Sequence, residues 1–290
     1  MKIGIFDSGL GGLVVAREVR KLLPKYDYIY LGDTKNLPYG SASQEKIYEH
    51  TVKAVKYLFA QDCVLVVVAC NTASSRALRK IQQEWLPARI AAQNVAGGPK
   101  SEYKGRKVLG VIRPTAELAG KYRNIGLVGT VRTIDSSAYA QELKKINKNI
   151  KLLAKATPKL VPMIEAGKYD KKILENYLKP FKNCESLILG CTHYGMLKKE
   201  IQEILGKKVK IIAQENLIPQ KLKTYLSKHK EISKKLSRKG RFELLVTKLS
   251  PGYNKLALDW FARSVKPKVI SLKKQDSGRS PKLREEFWQF

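Results

Sequence analysis

The feature that most constrains this chain is an apolar run delivered onto a cysteine, used twice. Residues 64–69 read Val64-Leu65-Val66-Val67-Val68-Ala69 and lead into Cys70-Asn71-Thr72-Ala73-Ser74. Residues 187–190, Leu187-Ile188-Leu189-Gly190, lead into Cys191-Thr192-His193-Tyr194. Unbroken β-branched and aliphatic runs of this length that stop at small polar residues read as strands of a parallel sheet, buried on both faces. Such strands present functional side chains at their carboxyl ends, where open α/β sheets bind ligands. Two thiols delivered alike by two halves of one chain point to a site with a nucleophile or a base on each side.

The other two cysteines read differently. Cys63 and Cys184 each lie seven residues before a polar-turn cysteine, at the start of the run. A seven-residue strand spans about 23 Å, which excludes a bridge from Cys63 to Cys70 or from Cys184 to Cys191. Both are read as small buried hydrophobes. No two-residue cysteine spacing and no histidine pair suggests zinc, and no lysine sits in a recognisable cofactor setting, so neither metal nor cofactor is expected.

At 290 residues the chain is long enough for two cores. No segment approaches the ~20 apolar residues of a membrane span. Four cysteines without framework spacing suit a reducing compartment, and the expected location is the cytoplasm. The formal charge of +31 is extreme for an enzyme. It raises a nucleic-acid or other acidic partner as one reading. Lysine decoration of an ordinary surface is preferred, because the positive charge is spread along the chain and few aromatics alternate with it.

In chain order, a first strand ends at Asp7, and Asp7-Ser8-Gly9-Leu10-Gly11-Gly12 opens a helix over 13–23. A glycine-rich turn at a helix start is an anion site, with Asp7 as a helix cap the competing reading. A strand over 28–31 ends at Gly32-Asp33. Ser41 with Gln44 predicts a capping box for a helix whose Ile47, Val52, Val55, Leu58 and Phe59 share a face. That helix feeds the strand to Cys70, and 74–85 reads as the helix after it. Alternating β and α elements predict a parallel sheet. Residues 93–106 read as a surface loop, and a strand over 108–112 stops at Arg113-Pro114. A second β-α series begins at Asn124 and runs through Cys191 to a strand over 209–212. The apolar stripe Leu222, Tyr225, Leu226, His229, Ile232 and Leu236 is read as a core face. The expected fold class is α/β, with two pseudo-symmetric domains, each a mainly parallel sheet flanked by helices, and the active site in the cleft between them. The expected boundaries are 1–113 plus 213–264, 114–212, and a loose basic tail over 265–290 whose Phe287, Trp288 and Phe290 could dock.

Taken together, Asp7-Ser8-Gly9 with Gly11-Gly12, Pro38-Tyr39-Gly40, Cys70-Asn71-Thr72-Ala73-Ser74 and Gly190-Cys191-Thr192-His193-Tyr194 resemble glutamate racemase, in order over residues 1 to about 212. Arg113-Pro114-Thr115-Ala116-Glu117, Gly129-Thr130 with Thr133, and Val161-Pro162-Met163-Ile164-Glu165 support the likeness. The resemblance implies a cofactor-independent racemase that supplies D-glutamate for peptidoglycan. By position in the motifs, Cys70 and Cys191 would be the two bases, and Asp7, Ser8, Tyr39, Gly40, Asn71, Thr72, Thr192 and His193 would hold substrate. Glu165 and Thr130 are auxiliary candidates. The chain departs from the family at Gly195, commonly Pro, at Thr157, commonly Cys, and at Gln214-Glu215-Asn216, which replaces an acidic turn. The partner implied is the small-molecule substrate glutamate. A homodimer and an acidic or nucleic-acid partner stay open, and no membrane partner is expected.

The chemistry fits the residues. Inverting an α-carbon means taking a proton from one face and returning one to the other, so two bases must flank it. A cysteine at a helix start is expected to have a lowered pKa, with Asp7 near Cys70 and His193 or Glu165 near Cys191 tuning proton position. Rival readings are an aspartate racemase of the same superfamily, a cysteine phosphatase loop pairing Cys70 with Arg76, and a basic nucleic-acid-associated protein with a vestigial site.

Overall fold

The computed structural model describes residues 1–92, 103–168, 170–249 and 265–272. Among them are ten strands, every pairing parallel: β1 (Lys2–Asp7), β2 (Tyr28–Gly32), β3 (Cys63–Val68), β4 (Lys107–Gly110), β5 (Asn124–Gly129), β6 (Lys151–Ala156), β7 (Ser186–Gly190), β8 (Lys210–Ile212), β9 (Phe242–Val246) and β10 (Lys268–Val269). They form a six-stranded sheet in the order β10-β9-β2-β1-β3-β4 and a four-stranded sheet in the order β6-β5-β7-β8. The α/β class with two helix-flanked parallel sheets is therefore as the sequence predicts.

Helices on both faces explain the unbroken apolar strands. On one face of the larger sheet, Ile3, Ile5, Leu65 and Val67 pack against Leu13, Val15 and Val19 of helix Leu13–Leu22 and Leu222 and Leu226 of helix Gln214–Lys228. On the other face, Phe6, Val66 and Val68 meet Ile47, Val55, Leu58 and Phe59 of helix Gln44–Ala60. The smaller sheet is covered likewise, by helices Lys171–Leu178 and Lys198–Leu205 on one side and Ile112–Ala119 and Ala138–Ile146 on the other. Each Leu or Ile so buried contributes about 1.5–3 kcal/mol. Among the described residues no helix is long and apolar enough to cross a membrane.

Register sets the level of the functional side chains. Phe6 pairs with Val68, and the Ala69 N–H donates to the Phe6 carbonyl at 2.8 Å, so Asp7 and Cys70 leave the larger sheet side by side. Gly129 pairs with Gly190, and Thr130 and Cys191 leave the smaller sheet side by side.

Several local expectations are corrected. The cap of helix Gln44–Ala60 is Ser43, whose hydroxyl accepts the Lys46 N–H at 3.3 Å; Ser41 is consumed by the preceding 3₁₀ turn Tyr39–Ser41. The helix after Cys70 starts at once, at Asn71 rather than Ser74. Pro114 does not end β4 but sits inside the first turn of helix Ile112–Ala119, where its missing N–H costs nothing because first-turn donors have no intrahelical partner. β6 and β9 were not anticipated, β6 because an edge strand with exposed Leu153 and lysines at 151 and 155 carries no buried run. The start of the tail is not loose: Lys268–Val269 extends the larger sheet beside β9. Residues 93–102 of the loop expected over 93–106, and the tail from 273 with Phe287, Trp288 and Phe290, lie outside the described residues.

At the pole opposite the cysteines, Asp27 ties the turn before β9 to the start of β2. It accepts from Ser237 Oγ (2.8 Å), the N–H groups of Lys239 (3.1 Å) and Arg241 (3.0 Å), and Arg241 Nη2 (2.9 Å). Burial opposes its charge, but the Arg241 N–H, the Arg241 guanidinium and the Ser237 hydroxyl bring its pKa down to about 2. A depressed carboxylate pKa contributes stability that is present above the unfolded value of 3.8 and lost as pH falls through about 2. Asp27→Ala should cost about 2–3 kcal/mol at neutral pH and flatten the acid limb of stability between pH 4 and 2. Urea melts at neutral and acid pH check this; an unchanged midpoint would contradict it.

Candidate active site

Cys70 ends the run of β3 and caps helix Asn71–Arg76. Its Sγ accepts the Ala73 N–H at 3.4 Å and donates to Ser8 Oγ at 3.4 Å. The expected lowering of its pKa is overturned. Burial, then the neighbouring Asp7 carboxylate, push the thiol up to about 12, and the Ser8 and Ala73 contacts do not offset them. A helix start favours a thiolate only where water or a cation also solvates it, and here the thiol is buried.

Cys191 follows β7 and precedes the 3₁₀ turn Thr192–Leu197. Its Sγ lies 3.7 Å from His193 Nδ1, and His193 Nε2 lies 3.1 Å from Glu165 Oε1. Burial alone would neutralise this imidazole, yet hydrogen bonding to Cys191 and Glu165 raises its pKa to about 10. His193 is thus an imidazolium at neutral pH, donating from both ring nitrogens.

Asp7 joins the two sheets. Its Oδ1 accepts the Gly9 N–H at 2.9 Å and its Oδ2 the Thr192 hydroxyl at 3.1 Å. Burial raises its pKa, with His193 and the Gly9, Thr192 and Gly12 donors pulling the other way. The glycine-rich turn is therefore an anion site whose anion is Asp7's own carboxylate; the helix it opens is capped by Gly12 without a side-chain bond. Gly11 is needed for this approach: a Cβ there would come within 2.6 Å of Thr192 Oγ1 and 2.7 Å of His193 Nδ1.

A cavity of about 230 Å³ lies between the strand ends, below the ~300–1,000 Å³ of sites for drug-sized ligands and suited to a small metabolite. Ser8, Tyr39, Gly40, Cys70, Asn71 and Thr72 line it from the larger sheet, and Thr130, Cys191, Thr192 and His193 from the smaller. Asp7 and Glu165 stand behind this lining, each on one of its members. Leu37, Pro38, Val131, Pro158, Val161 and Pro162 complete an apolar wall. Hydroxyls of Thr72, Thr130 and Thr133 meet across the cleft at 2.9–3.3 Å. Gly40 abuts Thr130 so closely that a Cβ would fall 2.8 Å from its Cβ.

Three residues with defined roles went unread in the sequence. Asp33, at the end of β2, accepts the Tyr39 hydroxyl at 2.7 Å and the Thr247 hydroxyl at 2.8 Å. Tyr139, from the other side of the cleft, and Gln214, at the head of the helix that returns to the larger sheet, hold Asn71. The available signal was position: Asp33 and Gln214, like Asp7, directly follow an apolar strand or its last residues. Among the departures from the family pattern, Thr157 bonds the Tyr194 hydroxyl at 2.6 Å and the Gly129 carbonyl at 3.2 Å, while Gly195 backs onto the buried Glu215 carboxyl. Arg76 turns away from Cys70, donating to the Arg132 carbonyl at 2.9 Å and Gln44 Oε1 at 3.1 Å, which removes the phosphatase-loop reading. Among the described residues no three His, Cys, Asp or Glu side chains are grouped to hold a metal ion.

No protein-family model matches this chain. Glutamate racemase of Aquifex aeolicus is 36% identical over 280 residues, spanning 93% of this chain and 98% of its own length. The structure of glutamate racemase from Francisella tularensis in complex with D-glutamate is similar at a TM-score of 0.80 and 28% identity, covering 94% of this chain and 98% of that one. Glutamate racemase from Thermus thermophilus in complex with β-chloro-D-alanine gives 0.75 and 33%, covering 94% and 97%.

The His193 environment sets a pH dependence. A histidine raised from 6.5 to about 10 contributes stability that is fully present below pH 6.5 and lost as pH rises through 10. The gap in melting temperature between the protein and its His193→Asn variant should therefore be widest near pH 6.5 and shrink toward pH 10. A gap that widened with pH would contradict the imidazolium assignment.

Proposed function

The chain belongs to the glutamate racemase family, and we propose that it interconverts L- and D-glutamate by a two-base mechanism in which Cys70 and Cys191 are the bases. The observation that carries this reading is a pair of thiols at equivalent strand ends of two sheets, lining one small cavity from opposite sides. In the L to D direction the Cys191 thiolate takes the α-proton, the electron pair stays on the α-carbon, and the Cys70 thiol gives its proton to the other face. The reverse direction exchanges the two roles. Each turnover leaves the protons on opposite sulfurs, and exchange with water resets them. The assignment of Cys70 to D-glutamate and Cys191 to L-glutamate follows the family resemblance.

Burial and Asp7 keep a proton on Cys70, while His193, steadied by Glu165, donates to Cys191. The surrounding donors Ser8, Asn71 and Thr72 suit the substrate's carboxylates, beside Thr192, whose hydroxyl is given to Asp7, and stabilising charge as it develops on the carbanion is the largest service such fixed dipoles perform. Gly40 and Tyr39 close the wall beside them. The reading takes residues 1–113 with 213–264 as one lobe and 114–212 as the other. The product D-glutamate would serve peptidoglycan synthesis in the cytoplasm, with no pyridoxal phosphate, metal or nucleotide required. Likeness to the enzyme crystallised with D-glutamate supports glutamate as the substrate.

Optical rotation or circular dichroism of L- and D-glutamate, with both aspartate isomers as controls, tests this. Glutamate should racemise in both directions. Cys70→Ser and Cys191→Ser should each lower the rate by about 10²–10⁴-fold, the range for losing a positioned acid or base. Near wild-type racemisation by either variant would end the two-thiol mechanism, and turnover of aspartate in place of glutamate would end the substrate assignment.

A further inference from the structure

Asn71, next to Cys70 at the start of its helix, has a side-chain amide with one committed end and one free end. Its Oδ1 accepts from the Tyr139 hydroxyl at 2.6 Å and from Gln214 Nε2 at 3.3 Å. Gln214 Nε2 also lies 3.3 Å from the Tyr139 hydroxyl, closing a triangle of buried groups. With both lone pairs of Oδ1 occupied, the amide cannot turn over without setting its NH₂ against the Gln214 donor. Asn71 Nδ2 is buried and has no hydrogen-bond partner among the described residues. A buried donor left unpaired costs about 1–3 kcal/mol, and an unpaired group in a native structure calls for an explanation. Asn71 lines the cavity, so the explanation consistent with its place is an acceptor that arrives with the ligand.

One of the two groups that hold the amide does not come from its own sheet. Tyr139 is in helix Ala138–Ile146, on the face of the smaller sheet, and Gln214 is the first residue of the helix after β8, where the chain returns to pack on the larger sheet. We propose that Gln214 and Tyr139 are positioning residues, which fix the Asn71 amide with its oxygen inward so that its NH₂ is held ready for a substrate carboxylate oxygen. This rests on the reading of the cavity as the glutamate site. It also makes the donor beside one thiol depend on a tyrosine carried by the sheet of the other, so that substrate binding and the meeting of the two sheets reinforce each other. Gln214 belongs to the Gln214-Glu215-Asn216 turn that departs from the family pattern, which makes this a property of this chain's own residues.

The test is steady-state kinetics with D-glutamate on Gln214→Met, Tyr139→Phe, Asn71→Ala and the double variant Gln214→Met/Asn71→Ala, each with a thermal melt. Gln214→Met keeps the volume and removes both donated bonds. It should raise KM roughly three- to tenfold, the value of one modest hydrogen bond, with kcat nearly held. Asn71→Ala should raise KM at least as much, and the double variant should be no worse than Asn71→Ala alone, because coupled residues fail to add. If Gln214→Met does not fold, Tyr139→Phe, which deletes only a hydroxyl, should show the same KM rise and the same lack of additivity. Multiplying effects in the double variant, or a fall in kcat and melting temperature with KM unchanged, would overturn the positioning role and reduce Gln214 to core packing. An Asn71→Ala variant with wild-type KM would overturn it too, and would leave the racemase reading standing provided the two serine variants remain inactive.

Discussion

The structure depends on bringing the carboxyl ends of two separate sheets face to face. A parallel sheet offers functional side chains only along that edge, so one sheet can approach a bound molecule from one side only. Two are needed for a two-sided site. The contact that seals them is the buried Asp7 carboxyl, which receives two glycine N–H groups from its own turn and the Thr192 hydroxyl from the opposing sheet. Gly11 allows that approach, because the space its Cβ would need is already filled by Thr192 and His193. Around this join, Thr72 with Thr130, Tyr139 with Asn71 and Arg132 with the Ala42 carbonyl cross the same cleft.

The surroundings of the two thiols are unequal although the strand ends that deliver them are alike. Cys70 sits among neutral donors beside a carboxylate and keeps its proton to about pH 12. Cys191 faces an imidazolium that Glu165 holds in place. In the racemase reading this gives a resting protein with a proton source on one face and a hydrogen-bonded sulfur on the other, the arrangement that a proton swap across a carbon requires.

The architecture was legible because its cause is local in sequence: runs such as Val64 to Ala69 are apolar at every position, as only a strand buried on both faces demands, and they stop at the cysteines that line the cavity. What escaped has causes distant in sequence. The upward Cys70 shift comes first from burial and then from Asp7, brought alongside by strand register and not by neighbourhood. Gln214 has meaning only once Asn71, 143 residues earlier, is against it. β6 lacks a buried face to announce it, and β10 is two residues long. The cap moved from Ser41 to Ser43 because Ser41 is the last residue of the 3₁₀ turn Tyr39–Ser41.

The most direct measurement of the central claim follows the α-proton itself. L-glutamate is incubated with the protein in D₂O and sampled by proton NMR during the first few per cent of conversion. Two thiols on opposite faces predict that D-glutamate forms with deuterium at the α-carbon while the remaining L-glutamate keeps its protium, because the base that takes the proton is not the one that returns it. D-glutamate that retains the original proton, carried across by a single base, would contradict the account.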